Sequence, residues 1–284
     1  GGATNIAAGD EALSPFKIAS SYSGNDADPA KGSATATLEG TAGKKLNVQI
    51  LKQVVEAKSR KLSARWTFEA AQDAQAQQGI DIEAEIMAAL AQEITAEIDQ
   101  EILTSLRSLA GSAAAAFDQS AVSGTATFVG DEHAALAVLI NQQANLIAQR
   151  TRRGAGNYAV VSSEALTILQ SATTSAFARS TEGVFEAPTN TKFVGTLNNS
   201  MRVYVDGYAS TGTDVLVGYK GSSEADAPAF YCPYIPLMSS GVVLDPSTFE
   251  PVVSFLTRYG YVELSNTASS QSNAAGYLAR ISIS

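Results

Sequence analysis

The strongest periodic signal in the chain runs from Ile82 to Leu106, where Ile82, Ile86, Leu90, Ile94, Ile98, Ile102 and Leu106 recur at every fourth position. This spacing predicts one long helix over 81–109, stopped by Gly111 and roughly 40 Å in length at about 1.5 Å per residue. Four residues advance about 400°, so the apolar stripe drifts by about 40° at each step. One end of the helix must then pack on a different surface from the other, as a spine crossing a domain does.

Around this helix the pattern changes character. Residues 1–32 are rich in Gly, Ala, Ser, Asn and Asp without a period and read as an extended arm. Over 33–67, alternation in SATATLEG and again in LNVQILKQVVEA, with GTAGKK between, predicts a long hairpin. Its alternate faces are too polar to bury a core alone, so it needs another surface to lie on. Thr67 is placed to cap a short helix, FEAAQDAQAQQ, which Gly79 ends.

Beyond Gly111 the residues up to Gly130 read as a small-residue loop. A helix over 131–152 follows, with Leu136, Leu139, Ile140 and Ile147 inside and Gly154 as its stop. The remainder alternates short strands with loops: NYAVVSS, the helix EALTILQSA, then KFVGTL, MRVYVDGY, DVLVGYKG, AFYCPYIPLM, EPVVSFLTRYGYVEL and YLARISIS. A helix-rich first part and a strand-rich second part place the chain in the α+β class.

Charge adds a second pattern. Lys44, Lys45, Lys52, Lys58, Arg60, Lys61 and Arg65 stand together against the single acid Glu56. The helix that follows carries Asp81, Glu83, Glu85, Glu93, Glu97, Asp99 and Glu101 against the single base Arg107. Neither segment can neutralise itself, so each requires a partner in the same chain or in another copy. Glu93, Glu97 and Glu101 continue at intervals of four a row begun by Asp81 and Glu85. Like charges at that spacing are mildly destabilising unless a basic group faces them.

The 284 residues, 45% hydrophobic and 17% charged, suffice for a sizeable core. A formal net charge of −9 argues against a nucleic-acid-binding role, which needs clustered Lys and Arg on phosphates. No run of eighteen apolar residues exists to cross a membrane as a helix, and GGATNIAAGDEALSP has neither the basic nor the apolar region of a signal peptide. His133 is the one histidine and Cys232 the one cysteine, so no catalytic triad, zinc set or internal disulfide can be assembled. GTAGKK lacks the upstream glycine and the Ser/Thr of a phosphate-binding loop, and GAG at 154–156 follows a helix rather than a strand. No catalytic residue, cofactor or metal is expected.

The segments KQVVEAKSRKLSARWTFEAAQD and GIDIEAEIMAALAQEITAEIDQEIL resemble the major head protein of T-even-type tailed phages. TKFVGTLNNSMRVYVDGYA, VLVGYKGSSEADAPAFYCPYIPL and DPSTFEPVVSFLTRYG strengthen the resemblance, in the family's order. It implies the tailed-phage capsid fold (Hong Kong ninety-seven type): an N-terminal arm over 1–32, an extended loop over 33–67, and a peripheral domain over 68–123 carrying the spine helix 81–109. An axial domain would occupy 124–239, and 240–284 would return to the peripheral domain. The chain is shorter than the T-even head proteins, which implies that their inserted subdomains are missing.

The resemblance further implies a structural protein of the virion capsid, built in the bacterial host cytoplasm, which forms hexamers, with pentamers as a second form, in a closed shell around double-stranded DNA. Trimming by a maturation protease would account for the missing initiating Met. Vertex, decoration and scaffold proteins would be further partners. In such a shell the basic Lys58, Arg60, Lys61 and Arg65 of one subunit would meet the acidic Glu93, Glu97 and Glu101 of a neighbour's spine helix. Three other readings are open: a cargo-enclosing bacterial compartment protein of the same fold, a secreted surface-layer protein, and a carboxylate-based enzyme.

Overall fold

A computed structural model of the chain describes residues 34–40, 52–118, 129–151, 153–171, 177–179, 192–198, 200–209, 214–223, 226–264 and 274–283. The chain divides into two compact units. The smaller comprises Val54–Leu106 and Ala229–Val262, and the larger takes in the remainder.

The smaller unit is a three-stranded sheet with a long helix on one face. Its strands are β1 (Lys58–Arg65), β8 (Ala229–Leu244) and β9 (Pro251–Glu263), in the order β1-β9-β8. β1 runs antiparallel to β9, with Arg60 opposite Thr257, Leu62 opposite Phe255 and Ala64 opposite Val253. Helix α2 (Phe68–Gln78) follows β1, and α3 (Ile82–Ala110) enters the unit next. Thr67 Oγ1 accepts the Ala70 N–H at 3.3 Å, and Gly79 takes the left-handed conformation at φ 67. At the start of α3, Asp81 Oδ1 accepts the Glu83 N–H at 3.0 Å. The apolar stripe does what its spacing predicts: Ile86, Leu90, Ile94 and Ile98 pack with Val253, Phe255, Leu62, Ala64 and Trp66. Burying Ile94 and Val253 fully contributes about 1.5–3 kcal/mol each. Farther along, buried Leu103 lies about 180° around the axis from Ile94, so a second face of the helix is covered near its end.

The hairpin predicted over 33–67 takes a different form. Thr35–Glu39 is a short helix, α1, and not a strand. Residues 41–51 lie outside the described residues, 52–57 form no strand, and β1 begins only at Lys58. The reason is burial. Leu62 and Ala64 need an apolar partner, and β9 backed by α3 supplies one where SATATLEG could not.

The larger unit holds a seven-stranded mixed sheet, order β2-β10-β7-β3-β6-β5-β4. Its strands are β2 (Ala115–Phe117), β3 (Tyr158–Ser162), β4 (Phe177–Arg179), β5 (Lys192–Leu197), β6 (Met201–Asp206), β7 (Val215–Gly218) and β10 (Leu278–Ile283). β3 runs parallel to β6 and β2 parallel to β10, and the remaining pairs are antiparallel. Helices α4 (Val129–Thr151) and α5 (Ser163–Ser171) supply Leu136, Ile140, Ile147, Leu166 and Leu169 to its core. Leu139, expected inside, is only partly buried. β2 lies in the stretch read from sequence as a loop, because three residues, two of them alanine, give little strand signal.

Candidate assembly interface

Strand period places the basic cluster on two faces. Arg60, Leu62 and Ala64 are half-buried on the α3 side of β1, whereas Lys61, Ser63 and Arg65 point away and are exposed. β9 continues both faces, with Val253, Phe255, Thr257 and Tyr259 buried and Leu256 and Arg258 exposed.

On the inner face, Arg60 reaches across to α3. Its Nη1 donates to Glu97 Oε2 at 2.7 Å and its Nη2 to Glu101 Oε2 at 2.5 Å. Its Nε donates to Tyr259 Oη at 2.7 Å, and the Tyr259 hydroxyl donates in turn to Glu101 Oε2. One guanidinium thus bridges two acids a turn apart on α3 and a tyrosine on β9. The Arg60 fork, with help from Tyr259, holds the Glu101 carboxyl below the ordinary glutamate range, and Lys58 adds through-space attraction. Glu101 and Tyr259 raise the Arg60 guanidinium in turn. Burial, followed by the bond to Glu101, pushes the Tyr259 phenol up. All four residues of this clasp belong to one chain, so the acid row meets a base without leaving the subunit.

The seven residues singled out by charge therefore separate. Arg60, Glu97 and Glu101 come together within the chain. Arg65 lies 3.7 Å from Glu250 on the outer face. Lys58, Lys61 and Glu93 form no ion pair among the described residues. Sequence reasoning missed Tyr259, which completes the clasp, and Arg258, whose guanidinium lies 5.5 Å from the centre of the Tyr234 ring. The alternation in SFLTRYGY was the available signal, since it puts Tyr259 and Arg258 on opposite faces.

β8 leaves its side of the sheet open. No charged residue occurs in its sixteen positions, and Leu237, Met238, Val242, Val243 and Leu244 are all exposed. Pro233 and Pro236 interrupt the first half of this edge strand and Gly241, at φ 69, kinks the second, but no charged side chain guards either half. The hairpin that follows is held by Asp245, whose Oδ1 accepts the Ser247 N–H at 2.9 Å, and it presents Phe249 at φ 59. At the other end of β9, Gly260 admits Val55: a Cβ there would meet Val55 Cγ1 at 2.3 Å.

In the larger unit two arginines pin the sheet. Arg107 Nη2 donates to Asp206 Oδ2 at 2.9 Å, and the Asp206 side chain has no exposure. Arg280 pairs with Asp214 and donates from Nη1 to the Gly111 carbonyl at 3.0 Å. No group of three His, Cys, Asp or Glu able to hold a metal occurs among the described residues, nor does any helix long and apolar enough to cross a membrane.

A long helix clasped to a three-stranded sheet in one unit, with a larger mixed sheet in the other, is the tailed-phage capsid fold. The mature capsid of bacteriophage PhiM1 superimposes with a TM-score of 0.51 at 13% identity, covering 86% of this chain and 77% of that one. The major capsid protein Gp23 family matches residues 3–283, and the chain belongs to that family. The major capsid protein of Vibrio phage KVP40 is 37% identical over 233 residues, 76% of this chain and 45% of that protein. That of Enterobacteria phage T4 is 37% identical over 234 residues, 76% of this chain and 44% of that protein. The chain thus spans less than half the length of these curated relatives.

Proposed function

We propose that this chain is a shell subunit that assembles with copies of itself into hexameric capsomers, and these into the closed phage head enclosing double-stranded DNA. The observation that carries the reading, beyond family membership, is the exposed, uncharged apolar second half of β8. A protein that works alone rarely leaves a long, uncharged apolar edge strand exposed, because such an edge pairs with other chains. The match to phage head proteins favours a phage shell over a bacterial cargo compartment.

In this reading Arg60, Glu97 and Glu101 brace the subunit, which leaves Lys58, Lys61, Arg65 and Glu93 to serve contacts between subunits. Exposed pairs contribute about 0–1 kcal/mol each, so they set register and encounter rate more than affinity. A vertex protein, decoration proteins, a scaffold and a maturation protease remain the partners that a head protein of this family would meet. Negative-stain electron microscopy of the purified chain tests the reading. Hexameric rings or closed shells support it, and dispersed single subunits at high protein concentration overturn it.

A further inference from the structure

Helix α2 is specified at both ends and only thinly covered, with Ala71 and Ala74 half-buried and the rest exposed. Thr67 caps its start and Gly79 ends it, yet none of its eleven residues is buried. An isolated helix of that length is marginal in water, and packing against a neighbour normally stabilises it. Phe68 and Ile80, at its two ends, are 54% and 44% exposed. Its charges have one sign. Glu69 and Asp73, four apart, share a face, and 67–106 carry nine acids and no base.

The outer face of the β1–β9 ladder has the opposite sign. Lys61, Arg65 and Arg258 stand on it beside Leu256, which is 38% exposed, and the Tyr234 ring, 70% exposed. Lys61 lies directly opposite Leu256, and Arg258 opposite Ser59. Among the described residues Glu250 and Asp245 answer part of this charge, both at Arg65, and neither Lys61 nor Arg258 has an acidic partner. One unit therefore presents two bare surfaces, an acidic helix with apolar ends and a basic sheet face with an apolar middle.

We propose that α2 of one copy docks on the outer β1–β9 face of a second copy, with Glu69 and Asp73 meeting Lys61 and Arg258. Phe68 and Ile80 then pack against Leu256 and Tyr234. The proposal rests on the self-assembly reading and names the surfaces it uses. Charge complementarity selects a second copy as the occupant, because among the described residues Glu69 and Asp73 meet no base and Lys61 and Arg258 meet no acid, and each surface carries the charge the other needs. The two surfaces differ, so the contact is heterologous. Each copy gives its helix to one neighbour and receives the helix of another, an arrangement that closes into a ring when the rotation permits.

Paired charge reversals test this. Lys61→Glu with Arg258→Glu makes the sheet face acidic, and Glu69→Lys with Asp73→Lys makes the helix basic. Each double variant alone should need about tenfold more protein to assemble at low salt than the unaltered chain. Mixed in equal amounts, the two should assemble at the unaltered threshold, because each then offers the other an opposite charge at both surfaces. Assembly of either variant alone at the unaltered threshold, or failure of the mixture, overturns the docking. If the sheet variant loses its fold by circular dichroism, the helix variant carries the test alone, since both of its substitutions are at exposed positions. An unaltered chain that never assembles overturns the shell reading itself. Unaltered particles alongside particles of the helix variant overturn only the docking.

Discussion

Arg60 Nη2 lies 2.5 Å from Glu101 Oε2, which fastens strand β1 to helix α3 within one subunit. Glu101 titrates below its ordinary range in the folded chain, so its contribution is present above the unfolded pKa, about 4.3, and is lost as pH falls through the folded value. Replacing Glu101 with Gln should cost about 1 kcal/mol or less at pH 7, since both groups are partly exposed, and should flatten the acid side of the melting profile. Thermal melts from pH 7 to pH 3 check this. Parallel profiles for the two proteins would show that the clasp does not contribute.

Gly260 gives room for Val55, and a methyl group there has to displace it. Gly260→Ala should lower stability by about 1–3 kcal/mol, the range for forcing a side chain into occupied space. Adding Val55→Ala should recover most of the loss. Denaturant unfolding of the single and double variants measures the recovery.

The Asp206–Arg107 pair is a different kind of contact, since the carboxylate has no exposure and also accepts the Tyr208 N–H at 3.1 Å. Removing it leaves a largely buried guanidinium unpaired. Asp206→Ala should therefore cost about 3 kcal/mol, well beyond the loss at the exposed clasp. Calorimetry of the isolated chain distinguishes the two sites by size.

Phe249 holds a positive φ of 59 while being 73% exposed, an unfavourable backbone state for a bulky side chain that gains little burial there. Phe249→Gly should raise the stability of the unassembled chain by about 1 kcal/mol. An unchanged midpoint in urea would show that the turn residues around Asp245 already absorb the strain.

Much of this architecture was legible in the chain. The every-fourth-residue stripe located α3, and its stop at Gly111, where φ is 74, follows from the residue type. Thr67 and Gly79 marked α2, and short runs rich in apolar residues between loops marked β3, β6, β7, β9 and β10, because each is buried on at least one face. The partner of β1 was not legible. Its pairing with β9 depends on residues close in space but far apart in sequence, and the local pattern in SATATLEG pointed to a nearer strand instead. The basic and acidic segments announced that they needed partners without saying whose. Strand period divided the answer, sending Arg60 inward to Glu97 and Glu101 while Lys61 and Arg65 were left facing outward.

Self-association is the centre of the account, and the mass of the purified chain in solution tests it most directly. Sedimentation velocity across a hundredfold range of concentration should show a species near six times the 29.5 kDa chain, with larger closed particles as concentration rises. A single species of 29.5 kDa at every concentration would contradict it.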